Sequence, residues 1–305
     1  LLGERQESAD SGEGGRVPKV LALALIGLSA LPVPVLAEWS ISAAAQARYD
    51  DNVGNAQNYD DKVSDEIFGA SLSAFQTLVL SEDDYTLSIG GDLSGERFDH
   101  FNGLSNAVLT AAASLKRKWG YGAFAPWGRA TLAGGRAEFD DSYRSYSVYR
   151  AALAGGKRFG ERFNLWAEYA YEHRSAAAGD NVEPGVSSDA FTQNAHRIAA
   201  TLEYTASAKI FLTLNVSARR GDVVSTVQSD EGIYSRARAI EEDPALGEDA
   251  YAYRVLGNTY GVRIGAAYAL TNHSLLGCDY LRARSYASGT DYLKSTTEIT
   301  WSYRY

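Results

Sequence analysis

Asp291–Tyr305 reads DYLKSTTEITWSYRY. Every second residue from its end is Tyr305, Tyr303, Trp301 and Ile299, and the residues between them are Arg304, Ser302, Thr300 and Glu298. One side is aromatic and aliphatic; the other is polar or charged. The period is two, which is the signature of a β-strand with one apolar and one wet face.

The same alternation recurs upstream. It is legible at 39–50, 67–80, 85–98, 107–118, 127–139, 146–158, 163–174, 195–204, 209–219, 258–270, 274–284 and 291–305, twelve segments in all. In the first, Trp39, Ile41, Ala43, Ala45, Ala47 and Tyr49 oppose Ser40, Ser42, Gln46 and Arg48. Links such as Ser81–Asp84, Phe159–Arg162, Thr205–Ala208 and Thr271–His273 are short, whereas about 51–66, 175–194 and 220–257 are long connections. An even strand count, links that alternate in length and no amphipathic helical period predict an all-β fold. The expected form is a single-chain antiparallel transmembrane β-barrel of about 12 strands. A soluble sandwich would fill its inner face with Val, Ile and Leu. Here many apolar-face positions are Ala, Gly or Tyr and the opposite face is charged, the inverted pattern of a membrane barrel.

Composition agrees. The 305 residues include 20 Tyr, 29 Gly and only 6 Pro, a balance that suits long strands and aromatic girdles. Mean hydropathy is -0.25, and no stretch after residue 40 is apolar enough for a spanning helix. The net charge of -9 argues against a nucleic-acid partner, which needs clustered Lys and Arg. A single cysteine, Cys278, excludes an internal disulfide and a Cys-rich metal site.

Lys19 precedes the apolar run Val20–Leu31, and PVPVLA follows, ending at Ala37. That order predicts a secretory signal peptide cleaved after Ala37. The expected organisation is therefore 1–37 as N-terminal extension plus signal peptide and 38–305 as barrel. The chain contains no Met, and translation is expected to start at Val17.

Three resemblances accompany these residues. The aromatic-ended tail Asp291–Tyr305 resembles the closing strand of Gram-negative outer-membrane β-barrels. That likeness implies recognition of Ile299, Trp301, Tyr303 and Tyr305 by a barrel assembly machinery. YDDNVGNA at Tyr49–Ala56 resembles the opening of the C-terminal barrel of surface lipoprotein assembly modifiers, although this chain carries no preceding helical repeats. RRGDVVST at Arg219–Thr226 and SRARAIEED at Ser235–Asp243 are similar to a set of uncharacterised proteobacterial outer-membrane barrels of porin-like type. These likenesses imply fold and location, and no catalytic residues.

Projecting the alternation inward puts Arg48, Asp92, Lys116, Arg129, Arg150, Glu168, Glu172, Arg174, Arg197, Glu203, Arg219, Arg263, Asp279, Glu298 and Arg304 in the lumen. Rings of charge of one sign set ion selectivity in a pore, and the basic surplus tilts this one toward anions. His173 and Ser175 share an outward face, as a His base and Ser nucleophile must for acyl transfer. Outer-membrane phospholipase A, also a twelve-strand barrel, has an outward His and Ser at such spacing. The longer Asn- and Gly-bearing motif of that family is absent here, and no orienting Asn stands on the next expected strand, 195–204; Asn194 is the nearest. Acidic groups at Asp50, Asp51, Asp60 and Asp61 and at Glu241, Glu242, Asp243, Glu248 and Asp249 read as solvated loops rather than a cation site.

The function expected from these features is a narrow porin-like channel for small, anion-leaning solutes. It is expected to be monomeric, with no enzymatic activity, cofactor, metal or nucleic acid. Outer-membrane lipid and lipopolysaccharide are the expected surroundings. The alternatives are a non-conducting barrel in lipoprotein or polysaccharide export, and a lipid hydrolase using His173 and Ser175.

Overall fold

The computed structural model describes residues 37–80, 85–179, 182, 184–228, 231–287 and 289–305. The expected extension and signal peptide, up to residue 36, and the link Ser81–Asp84 lie outside the described residues.

The strands are β1 (Ala37–Asp50), β2 (Asp65–Val79), β3 (Tyr85–Phe98), β4 (Asn106–Lys118), β5 (Trp127–Phe139), β6 (Tyr146–Phe159) and β7 (Phe163–Ala176). They continue with β8 (Gln193–Thr205), β9 (Ile210–Val227), β10 (Ala239–Glu242), β11 (Tyr251–Ala269), β12 (Ser274–Ala287) and β13 (Thr290–Arg304). Each pairs antiparallel with its neighbour from β1 to β9; β9 pairs with β11, and β11, β12 and β13 lead back to β1. Twelve strands thus close a barrel, and β10 lies outside it, on the edge of β11. Closure leaves no open edge among the twelve, which a lipid-facing sheet requires because hydrocarbon offers no hydrogen bonds.

The last strand closes on the first. Arg304 stands opposite Ser42, Trp301 opposite Ala45 and Glu298 opposite Arg48. Tyr305 donates its N–H to the Ile41 carbonyl at 2.9 Å, so it stands opposite Ile41.

Apolar side chains crowd the outside. Leu132, Leu153 and Ile198 are 68%, 62% and 61% exposed, values a water-soluble surface avoids over a continuous band. The inner face carries small residues at many positions. Gly90 faces the lumen of β3, where an added Cβ would lie 2.2 Å from the Ala74 carbonyl and 2.7 Å from the Phe75 Cα. Only glycine allows the strands that approach.

One part departs from the sequence reading. The long connection 220–257 is largely ordered sheet. β9 and β11 run on past the barrel rim, from Gly221 and Gly257, which stand opposite one another. A Cβ at Gly221 would lie 2.2 Å from the Asn194 carbonyl, and one at Gly257 would lie 2.9 Å from the Ala287 Cβ. At this glycine pair the neighbouring chains come too close for a side chain where the two strands leave the wall. Beyond it, Ala239–Glu242 adds β10, and a four-residue helix, α1 (Glu231–Tyr234), completes a small cap.

The cap is an ordinary globular interior. One face packs Val223, Val227, Tyr253 and Val255 with Ile233, Ile240, Ala56 and the lumen-facing Tyr292. The other packs Ala239 and Ala252 with Ala190 and Phe191. Both faces are covered, so these strands show no simple alternation.

Candidate functional site: the charged lumen and its capped mouth

Antiparallel register puts directly opposed residues on one face. Starting from Arg48, the pairings carry the lumen face around the barrel through Glu298, Asp279, Arg263, Arg219, Arg197, Glu172, Glu168 and Glu203 on one side. On the other they carry it through Asp92, Lys116, Arg129, Arg150 and Arg174. Arg304 shares the face of Ser42. The register therefore brings every charge of that set to one face of the wall, opposite the face that carries Leu132, Leu153 and Ile198.

Their partners differ. Arg48 donates to Glu96 at 2.8 Å and lies 3.8 Å from Glu298. Arg150 pairs with Glu168, Arg174 with Glu172 at 2.9 Å, and Lys294 with Asp50 at 2.7 Å. Asp92 accepts from Ser73 at 2.5 Å, and Glu203 from Asn164 at 3.1 Å. Among the described residues Lys116, Arg129, Arg197, Arg219 and Arg263 have no ion-pair partner; Lys116 and Arg129 both lie over the Trp127 ring, at 5.1 and 5.7 Å. On the wall from β6 to β11, six arginines (Arg150, Arg158, Arg174, Arg197, Arg219, Arg263) meet three glutamates (Glu168, Glu172, Glu203). The lumen's uncompensated charge is basic.

Above this wall the cap is clamped by polar contacts that the sequence reading missed. Asp243 is fully buried and takes a bidentate bond from Arg144, with the Nε–Oδ1 arm at 2.7 Å, plus one from Thr226 at 2.6 Å. Arg254 pairs with Asp189 at 2.8 Å. In the first loop, Asn52 is fully buried and fully used. Its N–H donates to Asp50 at 3.0 Å, its amide donates to the Ala56 and Leu293 carbonyls, and its Oδ1 accepts from Ala56 at 2.8 Å. The Thr226 N–H donates to the Gly54 carbonyl at 2.7 Å, and Asn55 donates to Val224 at 3.0 Å. Tyr49–Ala56 is thus a clamp between wall and cap.

The acidic groups are accordingly corrected: Asp50, Glu241 and Asp243 are buried, not solvated. Glu241 accepts the Ala190 N–H at 3.1 Å, while its Oε1 is buried without a hydrogen-bond partner. Burial in the cap, with the Asp243 carboxylate nearby, pushes Glu241 up to about 7. No group of three or more His, Cys, Asp or Glu poised to hold a metal occurs among the described residues.

On the outside, the reading of His173 is also corrected. Asn194 belongs to β8 and stands directly opposite His173. His173 Nδ1 and the Tyr171 hydroxyl both donate to Asn194 Oδ1 at 2.9 Å. With Nδ1 carrying the proton, Nε2 is the basic nitrogen. Ser175 lies two residues on, and no hydrogen bond joins it to His173; the imidazole instead stacks on Tyr149, centroids 6.3 Å apart.

No family model matches the chain, and no curated protein does. Solved structures do. The COG4313 outer membrane channel from Pseudomonas putida F1 superposes over 90% of this chain and 97% of its own, with a TM-score of 0.56 and 12% identity. The fold is that of an outer-membrane β-barrel. The β domain of the Bordetella autotransporter BrkA follows at a TM-score of 0.46 and 10% identity, covering 88% of this chain and 99% of its own. The KdgM porin follows at 0.43 and 8%, covering 86% and 98%.

Proposed function

We propose that this barrel is a narrow channel in a Gram-negative outer membrane, passing small solutes with a preference for anions. One observation carries the reading: the lumen charges reach water. Arg150 and Glu168, paired across the inner wall between β6 and β7, keep 40% and 21% of their side-chain surface exposed. A plugged barrel buries such pairs in a packed interior; a solvated pair lines a path. Twelve strands lie between the filled eight-strand barrels and the open porins of 16–18 strands. The unpaired Lys116, Arg129, Arg197 and Arg263 supply the sign.

The proposal extends to the surroundings. The chain acts as a monomer, with both ends on the periplasmic side, lipid and lipopolysaccharide around it, and β13 as the strand read by the barrel assembly machinery. Export to that membrane would use the leader ending at Ala37.

The test is planar-bilayer recording of the purified, heat-modifiable barrel in a KCl gradient. Discrete steps with a reversal potential displaced toward chloride support the channel. Silence from properly folded barrel ends it.

A second reading rests on the His173–Asn194 hydrogen bond. It supplies the orienting Asn that a Ser–His acyl-transfer site on the lipid face needs. In that reading Ser175 Oγ attacks a lipid ester carbonyl, His173 Nε2 takes its proton and returns it to the leaving alcohol, and water then frees the fatty acid. Phospholipid hydrolysis in detergent micelles that Ser175→Ala abolishes would establish it; activity surviving that substitution would remove it.

A further inference from the structure

Arg197 and Arg219 stand directly opposite one another on the lumen face of β8 and β9. Like charges in directly opposed positions repel unless something compensates them. Among the described residues neither has a carboxylate within ion-pair distance; Arg219 donates only to the backbone carbonyl of Asp222, at 2.7 Å. That bond ties its guanidinium to the root of the cap.

Arg219 also lines a cavity of about 340 Å³ beneath the cap, together with Arg144, Arg174, Tyr146, Phe191 and Tyr292. Two of the arginines lie over rings. Arg174 lies 4.8 Å from the Tyr146 centroid, and Arg144 lies 4.9 Å from that of Phe191. A guanidinium over a ring face can still present N–H groups to a planar acceptor. Arg144 uses Nε and Nη2 on Asp243, and Arg174 uses Nε on Glu172. Among the described residues the terminal nitrogens of Arg174 and the remaining N–H groups of Arg219 make no hydrogen bond, which leaves them for a ligand. The cavity wall combines these donors with aromatic and aliphatic surface, the mixture that small-molecule sites use.

We propose that this cavity is a binding site for a small organic carboxylate with an apolar body, held by Arg219 and Arg174 as it enters the lumen. Carboxylate geometry matches the guanidinium fork, and the rings take the apolar part. The site deepens the channel reading and rests on the lumen being a solute path. A bound anion would then pass to the basic wall below.

The experiment is isothermal titration of the full chain in detergent with sodium benzoate. Benzyl alcohol serves as the neutral counterpart and sodium sulfate as the inorganic anion. Saturable binding of one benzoate per barrel is expected, at least about tenfold tighter than sulfate, with none for the alcohol. Arg219→Gln should weaken benzoate by about tenfold or more, and Arg219→Lys, which keeps the charge but loses the fork, by less. Both variants are first checked for heat-modifiable folding, so that loss of binding is not loss of the barrel. No saturable benzoate binding, equal binding of the alcohol or of sulfate, or full affinity in folded Arg219→Gln overturns the proposal. Bilayer currents without benzoate binding refute the site and leave the channel. Benzoate binding by a barrel that never conducts refutes the channel reading and leaves the site as a receptor pocket.

Discussion

Glu241→Gln tests how the cap is held. Glu241 is 1% exposed, on β10, with Oε2 bonded to the Ala190 N–H and Oε1 unpartnered. Burial raises its pKa from 4.5 to about 7, and the Asp243 and Asp189 carboxylates act in the same direction. When the cap undocks, Glu241 returns toward 4.5. Between the two values the docked state holds a proton that the undocked state has lost, so docking weakens as pH rises through that window and is flat above it. The difference of about 2.5 units at 1.36 kcal/mol each is an order-of-magnitude penalty of about 3 kcal/mol at about pH 8, and a small one near pH 5. Glutamine keeps the acceptor and cannot ionise. Hydrogen exchange of the amides in Ala239–Glu242 and 251–256 reads the docking free energy directly. Wild-type protection factors should fall by roughly two orders of magnitude between about pH 5 and pH 8, whereas Glu241→Gln should hold nearly constant. Flat wild-type protection across that range, or a variant that follows the wild type, refutes the reasoning.

Asn52→Ala removes both the donor and the acceptor that bind the first loop to itself and to β13, leaving the Ala56 N–H and two carbonyls unpaired. A loss of about 2–3 kcal/mol is expected, read as earlier exchange of the cap amides with the barrel strands unchanged. Arg150→Ala leaves Glu168 without its cation in the lumen, and should move the reversal potential in a KCl gradient toward potassium; an unchanged potential counts against a solvated pair on the ion path. Deleting Tyr305 removes an aromatic terminus and the closing bond to Ile41, so the yield of heat-modifiable barrel in the outer membrane should drop severalfold. Normal yield would show that β13 is recognised without it.

How much of this was legible depends on where the relevant contacts lie. The twelve wall strands follow from alternation because lipid on one side and water on the other impose the same polarity rule on each of them. The lumen position of Arg48 or Glu298 follows from the same parity. Asn194 lies one residue outside the alternating segment 195–204, because the polar pair Gln193-Asn194 ends the alternation while hydrogen bonding to β7 continues. The segments 222–227 and 251–256 carry no strand period in the sequence because both of their faces are buried. Asp243 and Glu241 looked like surface acids because their partners, Arg144 and the Ala190 amide, are 99 and 51 residues away.

By itself, the sequence determined the fold class, the strand count of the wall, the closing strand Asp291–Tyr305 and which side chains face inward. These are properties of a period-two pattern read against two solvents, and each strand carries its own copy. Only the tertiary structure decided that β9 and β11 run on past Gly221 and Gly257 into a packed cap. It alone showed which lumen charges are paired, and that Arg219, opposite Arg197, lines a cavity walled by rings. Those facts depend on register and on contacts between segments far apart in the chain, and alternation along a single strand carries no information about either.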